Sequence, residues 1–500
     1  MKKILRSTAL CTLGILTATT ALLAGCGSQE ASPSNSKQEK QKLSIKVMSS
    51  LQTEPPDMNS AFWTGLEQKT NVHMDIDWVP INDYMNKVNI VVASGNIPDV
   101  LTVTEVTSPN VVDAINKGTF WDLTELLGDF SKYPNLKNNV PESAWKLMRY
   151  NGKIYGMPRT RPPINSVELI RKDWLDKLGL PMPKTMDELL ETLKKVVESD
   201  PDGNGKKDTI GMNYDEAWIS AFGSLTPEYT PEGGLYPKEL TNAYTSMVEW
   251  YRKAYSYGLM SQEFAVMKDS QYYSMFGSGL AAFYRKNAWH QYGLEQSAKK
   301  VQPGAVVDYV PYLTGPKGTT AVLTPGFYGG LFIPKSVPKE KAVRILEYYN
   351  LVASSEITEY ITYGTEGIHH KKDNGARVMT DQGKKEINNT TIEPFVLKLD
   401  PWSKTDSPLA PNEINLKNRE KVKPVAEIAK IDPYTVINSP SWVTQWPKYQ
   451  GEFASMRTQA IIGKISMEQY KSYVEQLKAK KEFAQSYKEF GDNYKSLFGK

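Results

Sequence analysis

Val72-His73-Met74-Asp75-Ile76-Asp77-Trp78, residues 72–78, alternates apolar and polar side chains at every step. A period of two puts Val72, Met74, Ile76 and Trp78 on one face of an extended chain and the polar residues on the other. The same alternation runs through Leu43-Ser44-Ile45-Lys46-Val47, and the segment between, Phe62 to Lys69, reads as a helix. Downstream, a helix near Tyr84 to Ser94 leads into Gly95-Asn96-Ile97-Pro98-Asp99-Val100-Leu101. Strands alternating with helices predict an α/β layer on a largely parallel sheet.

The pattern resumes further along. Val167-Glu168-Leu169-Ile170-Arg171 reads as a strand, followed by Asp173-Trp174-Leu175-Asp176-Lys177-Leu178-Gly179-Leu180. Thr185 with Glu188 three residues later carries the signature of a capping box. Leu189, Leu190, Leu193, Val196 and Val197 then lay an apolar stripe along the helix it opens. Ala281 to Tyr284 and Tyr328 to Pro334 read as short buried strands, with Lys339 to Asn350 as a helix behind the second. From about Ser466 the chain reads as charged amphipathic helices.

The N-terminus carries an address. Lys2, Lys3 and Arg6 precede an uncharged, mostly apolar run, the plan of a secretory signal peptide. The run ends in Leu22-Leu23-Ala24-Gly25-Cys26, which resembles the lipobox of bacterial lipoproteins. That resemblance implies removal of residues 1–25, a diacylglyceryl thioether on Cys26 and an acylated new N-terminus, which together give stable membrane anchoring. A plain membrane span over residues 7–29 is the alternative, but Thr12, Thr17, Thr19 and Thr20 dilute its apolarity. Residues 26–42 then hold the lipidated cysteine and a polar, flexible tether.

Cys11 and Cys26 are the two cysteines of the chain. The first leaves with the leader and the second is lipidated, so the mature protein has neither disulfide nor free thiol, and thiol chemistry is excluded. The net charge of +4 falls to about +1 without Lys2, Lys3 and Arg6, which argues against nucleic acid as a partner. Four histidines, His73, His290, His369 and His370, supply histidine-based metal catalysis thinly. The 28 Tyr and 11 Trp offer flat apolar faces with polar handles, suited to a carbohydrate cleft as well as to a core.

Several segments, in order, resemble the extracellular solute-binding proteins of carbohydrate ABC importers, in particular the large lipoprotein branch that includes oligosaccharide and alginate binders. The matching pieces are Gly95–Val100, Tyr155-Gly156-Met157-Pro158, Arg171–Leu180, Pro183–Leu189, the Asp200 loop, Gly364-Thr365-Glu366-Gly367-Ile368-His369 and the C-terminal helices. The resemblance implies a two-lobed, periplasmic-binding-protein-like α/β fold with hinged lobes and the ligand between them. Lobe 1 is then expected over 43–160 and again over 326–400, and lobe 2 over 161–325 and, with the C-terminal helices, 401–500. Crossings are placed near Tyr155–Asn165, Thr324–Gly330 and Leu399–Pro411, each rich in Pro or Gly.

Asp200-Pro201-Asp202-Gly203-Asn204-Gly205-Lys206-Lys207-Asp208 is the sharpest chemical signal. Asp200, Asp202, Asn204, the Lys206 carbonyl and Asp208 fall on the ligand positions of an EF-hand loop, with Gly205 at its sharp turn. Oxygen ligands at this spacing suit a structural calcium ion. Gly211 stands where that loop has its bidentate glutamate, and an ordinary turn of Asp, Asn and Gly is the competing reading. The resemblance supports calcium, since related carbohydrate binders carry a calcium loop after the same helix.

Ligand-binding candidates are aromatic and charged residues near the crossings. Arg159 and Arg161 sit on the first crossing, where two guanidiniums could clamp a uronate carboxylate or sugar hydroxyls, or form surface ion pairs. Trp289 follows a strand; Tyr328 lies between the Pro325-Gly326 and Gly329-Gly330 pairs; Glu366 and His369 sit in the family-like segment; Trp218 and Trp402 complete the set. His369 and His370, adjacent on a strand, point to opposite faces and do not suggest a joint metal site.

The expected function is a membrane-anchored, extracytoplasmic lipoprotein, monomeric and not an enzyme. It captures an oligosaccharide, with uronate-containing chains included, for an ABC transporter permease. A polysaccharide hydrolase or lyase, or a binder of another solute such as a peptide, are the alternatives.

Overall fold

The computed structural model describes residues 41–373, 376–388, 390–402, 405–407 and 409–499. The leader, Cys26 and nearly all of the tether lie outside the described residues. Among the described residues no helix is long and apolar enough to cross a membrane.

The strands of the two larger sheets are β1 (Leu43–Leu51), β2 (Val72–Pro80), β3 (Val100–Val103), β4 (Gly156–Thr160), β5 (Ser166–Arg171), β6 (Phe283–Asn287), β7 (Val307–Val310) and β8 (Phe327–Phe332). The helices used below are α1 (Ala61–Thr70), α2 (Ile81–Ser94), α3 (Met186–Glu198), α4 (Asn242–Ser256), α5 (Asn412–Ile428), α6 (Pro447–Ile461), α7 (Met467–Lys478) and α8 (Ala484–Phe498). Both alternating segments are strands. β1 and β2 pair in parallel from Leu43 opposite Val72 to Leu51 opposite Pro80, and β3 joins the other side of β1, also in parallel.

The first sheet runs β2-β1-β3-β8-β4. β2, β1, β3 and β4 run in one direction, so the sheet is largely parallel, and β8 alone is reversed, antiparallel to both β3 and β4. The cause is the path of the chain. β4 leaves this sheet for the second one and β8 returns from it, so the two run in opposite directions. The second sheet, β6-β5-β7, is antiparallel throughout.

Each sheet buries both faces, as helix-covered sheets must. On the first sheet, Ile45, Val47 and Val100 pack with α1 and the Lys339–Val352 helix, while Met48, Leu101 and Val103 pack with α2 and Phe332. On the second, Ile170 and Phe283 enter a core shared with α3, α4, α6, α7 and α8, and Leu169 and Tyr284 enter one shared with α5. The α3 stripe is buried at Leu189, Leu190, Leu193 and Val196. The Thr185 hydroxyl accepts from the Glu188 N–H at 3.1 Å, but the Glu188 carboxylate reaches the Lys184 N–H instead of that of Thr185, so the capping box closes one residue early.

Three segments pass between the sheets and are bonded to one another. Thr160 at the end of β4 exchanges side-chain bonds with the Leu397 backbone, accepting its N–H at 3.1 Å. The Arg161 N–H donates to Gly326 at 2.8 Å, and Thr324 donates to Pro163 from its N–H and to Pro162 from its hydroxyl, each at 2.9 Å.

Candidate functional site

A cavity of about 830 Å³ opens where these crossings meet. In open α/β sheets ligands bind beyond the carboxyl ends of the parallel strands, and this cavity does the same. Gln52 follows β1, Thr104 to Pro109 follow β3 and Arg161 follows β4, and all of them line it. The second sheet contributes Asn165 before β5 and Asn287 and Trp289 at the end of β6. Ser166 fixes Asn287 by donating to its Oδ1 at 3.1 Å.

Gly329 makes the floor possible. It has φ of 70°, and a Cβ there would lie 2.0 Å from the Val103 carbonyl oxygen, so only glycine lets β8 press against β3 here, where its register with β4 also shifts. Next to it, Tyr328 is 43% exposed. The guanidiniums of Arg159 and Arg161 stand 5.5 and 5.8 Å from its ring centroid. Trp289 is stacked on His290 with centroids 3.6 Å apart, which holds its indole in place. Two aromatic rings are thus fixed on the cavity wall from opposite sheets.

Behind Tyr328 lies an ion triad. Glu393 pairs with Arg159 through one carboxylate oxygen and with Arg161 at 2.9 Å through the other, and the Ser50 hydroxyl donates to it at 3.2 Å. Arg159 has no exposed surface, and its Nε and Nη1 have no hydrogen-bond partner. Arg161 borders the cavity and also donates to the Thr160 carbonyl at 2.9 Å. Burial pulls Arg159 down to about 10; burial and the neighbouring Arg159 charge pull Arg161 down to about 9. Both remain cations at neutral pH.

The remaining candidates lie elsewhere. Trp218 has no exposed surface and stacks on Tyr251 in the second lobe's core, 5.9 Å between centroids. Trp402 is half-buried against the core beneath α5 and is not on the cavity wall. Glu366 is exposed and pairs with Lys372 at 2.8 Å. His369 is fully buried: its Nδ1 accepts the Thr365 N–H at 2.9 Å, which leaves Nε2 to donate to Glu386 at 3.1 Å. That histidine ties a loop to α1, since Glu386 also accepts the Phe62 N–H. Glu393, Asn287 and the Thr104–Pro109 loop were absent from the sequence reading, and Asn165 appeared there only as the bound of a crossing. The strand-end rule pointed to that loop; nothing in the sequence pointed to Glu393.

The Asp200 loop is folded around its own side chains. Asp200 accepts the Gly205 N–H at 2.9 Å, and Asn204 donates to Asp202 at 2.8 Å and to Asp208 at 3.1 Å. Burial and the adjacent Asp200 raise Asp202, while bonds from Asp202 and the Gly205 N–H lower Asp200. Among the described residues no three His, Cys, Asp or Glu side chains are gathered as a metal cluster.

Two sheet-bearing lobes are joined by three bonded crossings, with an aromatic-walled cavity where the crossings meet. The comparisons agree. The chain belongs to the bacterial extracellular solute-binding proteins, whose family model matches residues 50–359. It is 30% identical over 386 residues to the polygalacturonan/rhamnogalacturonan-binding protein YtcQ of Bacillus subtilis (strain 168), covering 75% of this chain and 76% of that one. It is 28% identical over 474 residues to Lipoprotein LipO of the same organism, covering 91% and 92%. The EF-hand mutant of the S. pneumoniae substrate-binding protein FusA, in complex with fructo-nystose, superposes with a TM-score of 0.63 at 19% identity, covering 91% of this chain and 99% of that one. This last likeness shows the shared fold.

Proposed function

We propose that this protein captures an oligosaccharide in the cavity between its lobes and presents it to the permease of an ABC transporter. The supporting observation is the cavity of about 830 Å³ at the hinge, walled by Trp289 and Tyr328 and edged by Asn165, Asn287 and Arg161. Flat rings accept the C–H faces of sugars, and amide and guanidinium groups answer their hydroxyls. The names of YtcQ and FusA add that relatives bind poly- and oligosaccharides. Closure over the ligand is the two-state element that the permease reads through its differential affinity.

Binding without turnover is the favoured reading. The carboxylates on the cavity wall are Glu105, exposed, and Glu393, held between two arginines. Glycoside hydrolysis needs one carboxyl poised as an acid and a second free as base or nucleophile, and Glu393 is committed elsewhere. Titration of the purified protein with oligosaccharides tests the reading. It requires saturable binding, a smaller radius of gyration in solution scattering, and unchanged sugar by chromatography. A cleaved product refutes it.

Anchoring through Cys26 is part of the proposal, supported by the lipobox and by the relative named as a lipoprotein. Cys26→Ser is expected to move the protein from the membrane to the soluble fraction; a variant that stays with the membrane refutes the anchor.

The Asp200 loop is proposed to hold a structural calcium ion. Its chemistry fits: Asp200 Oδ1 is buried without a partner, and the Asn204 amide donates to both the Asp202 and the Asp208 carboxylate, gathering oxygen donors in one loop. Asp200, Asp202, Asn204, the Lys206 carbonyl and Asp208 would hold it, and the ion would supply charge neutralisation to the loop.

A further inference from the structure

The triad contains one buried cation, Arg159, one buried anion, Glu393, and a second cation, Arg161, at the cavity edge. Arg159 and Arg161 both keep their charge, and both lean on the single carboxylate of Glu393. Both Glu393 oxygens are occupied, the one that meets Arg159 also by Ser50. Arg159 has no exposed surface, and its Nε and Nη1 have no partner among the described residues. Buried charge is normally paired, because desolvation otherwise pushes it toward neutrality. The Tyr328 ring offsets part of the excess through its π face. The other carboxylate on the wall, Glu105, is exposed and has no ion pair among the described residues, so solvent screens it. One positive charge is therefore left over at the edge of the cavity, and the surface that carries it outward is Arg161.

We infer that the oligosaccharide is acidic, and that its carboxylate meets Arg161 beside Tyr328 and completes the charge balance of the triad. This rests on the cavity being the ligand site. Arg161 is the contact. Arg159 and Glu393 are positioning residues: Glu393 holds the Arg161 fork in place, and Arg159 prevents Glu393 from cancelling the Arg161 charge. Removing Glu393 should strengthen the preference for acid, whereas removing Arg161 should abolish it. A single carboxylate thus sets how strongly the cleft distinguishes charged from neutral sugars.

The test pairs uronate oligomers with their own methyl esters, which keep every hydroxyl and lose only the charge. Trimers of galacturonate, mannuronate, guluronate and glucuronate are titrated calorimetrically against the chain from Lys42 on, which contains every core described here. At least one acid is expected to bind ten-fold or more tighter than its ester, and the gap should shrink as sodium chloride rises from 50 to 500 mM. Arg161→Gln should bring acid and ester within about two-fold, while Glu393→Gln widens the gap. The salt series needs only the unaltered chain, so the inference stays testable if either variant folds poorly. Esters or neutral galactose, glucose or fructose oligomers binding as tightly as every acid would overturn the acidic-ligand inference and leave the oligosaccharide reading standing. No binding of any sugar, acidic or neutral, would overturn both.

Discussion

Glu393→Gln and Arg159→Met differ by more than their chemistry suggests, because the triad is unbalanced. Glu393→Gln leaves two guanidiniums, one without exposed surface and the other with a side chain 12% exposed, and no carboxylate between them. Removing one partner of a buried pair destabilises by about 3–5 kcal/mol, and here the loss falls on two groups at once. Arg159→Met instead leaves the Arg161–Glu393 pair at 2.9 Å and the Ser50 bond to Glu393 intact. It removes a surplus charge, substitutes an apolar chain of similar reach and gives up one contact to Tyr328, for a net loss of about 0–2 kcal/mol. Urea unfolding followed by far-UV circular dichroism reads the difference. With a slope of about 3 kcal/mol per molar, Glu393→Gln should lower the midpoint by about 1–1.7 M and Arg159→Met by less than about 0.7 M. If Arg159→Met is as damaging as Glu393→Gln, Arg159 has a counter-charge of its own and the surplus does not exist.

Trp218→Ala, in the second lobe's core, should cost about 3–5 kcal/mol and leave affinity for any bound oligosaccharide unchanged, while Trp289→Ala should weaken binding at least ten-fold with little change in melting temperature. Glu168 is buried on β5 next to Arg285 at 3.7 Å, and burial raises its carboxyl to about 7. The folded state then holds a proton that the unfolded chain releases between about pH 4.5 and 7, so this group's contribution is full below 4.5 and lost as pH rises through 7. The difference in stability between wild type and Glu168→Gln should fall by about 3 kcal/mol across that window; a flat difference in a pH series of unfolding curves would refute the assignment. Calcium at a hundred times its dissociation constant should add about 2.7 kcal/mol, read as a rise in melting temperature after chelation and re-addition that Asp202→Ala abolishes.

Features fixed by local chemistry were legible in the chain. The alternation at 43–47 and 72–78 announced β1 and β2, and the Thr185 cap announced α3. Arg161, Trp289 and Tyr328, which line the cavity, were named as candidates because each follows a strand end or flanks a flexible crossing. What escaped depends on contacts between distant parts. Glu393 meets Arg161 across 232 residues, and no local pattern marks it. Trp218 and Trp289 look alike in sequence, but one lies under α4 and the other at a strand end on the cavity wall. The reversed direction of β8 follows from a journey through the other lobe, which periodicity does not record.

The bonds among the crossings, Thr160 to Leu397, Arg161 to Gly326 and Thr324 to Pro162, make the pivot a seam of three plies rather than three separate strings. A seam of this kind bends as a unit. Slackening a single ply by inserting residues would leave the other two to define the axis, so the swing of the lobes should survive changes that would unhinge a protein turning on one strand.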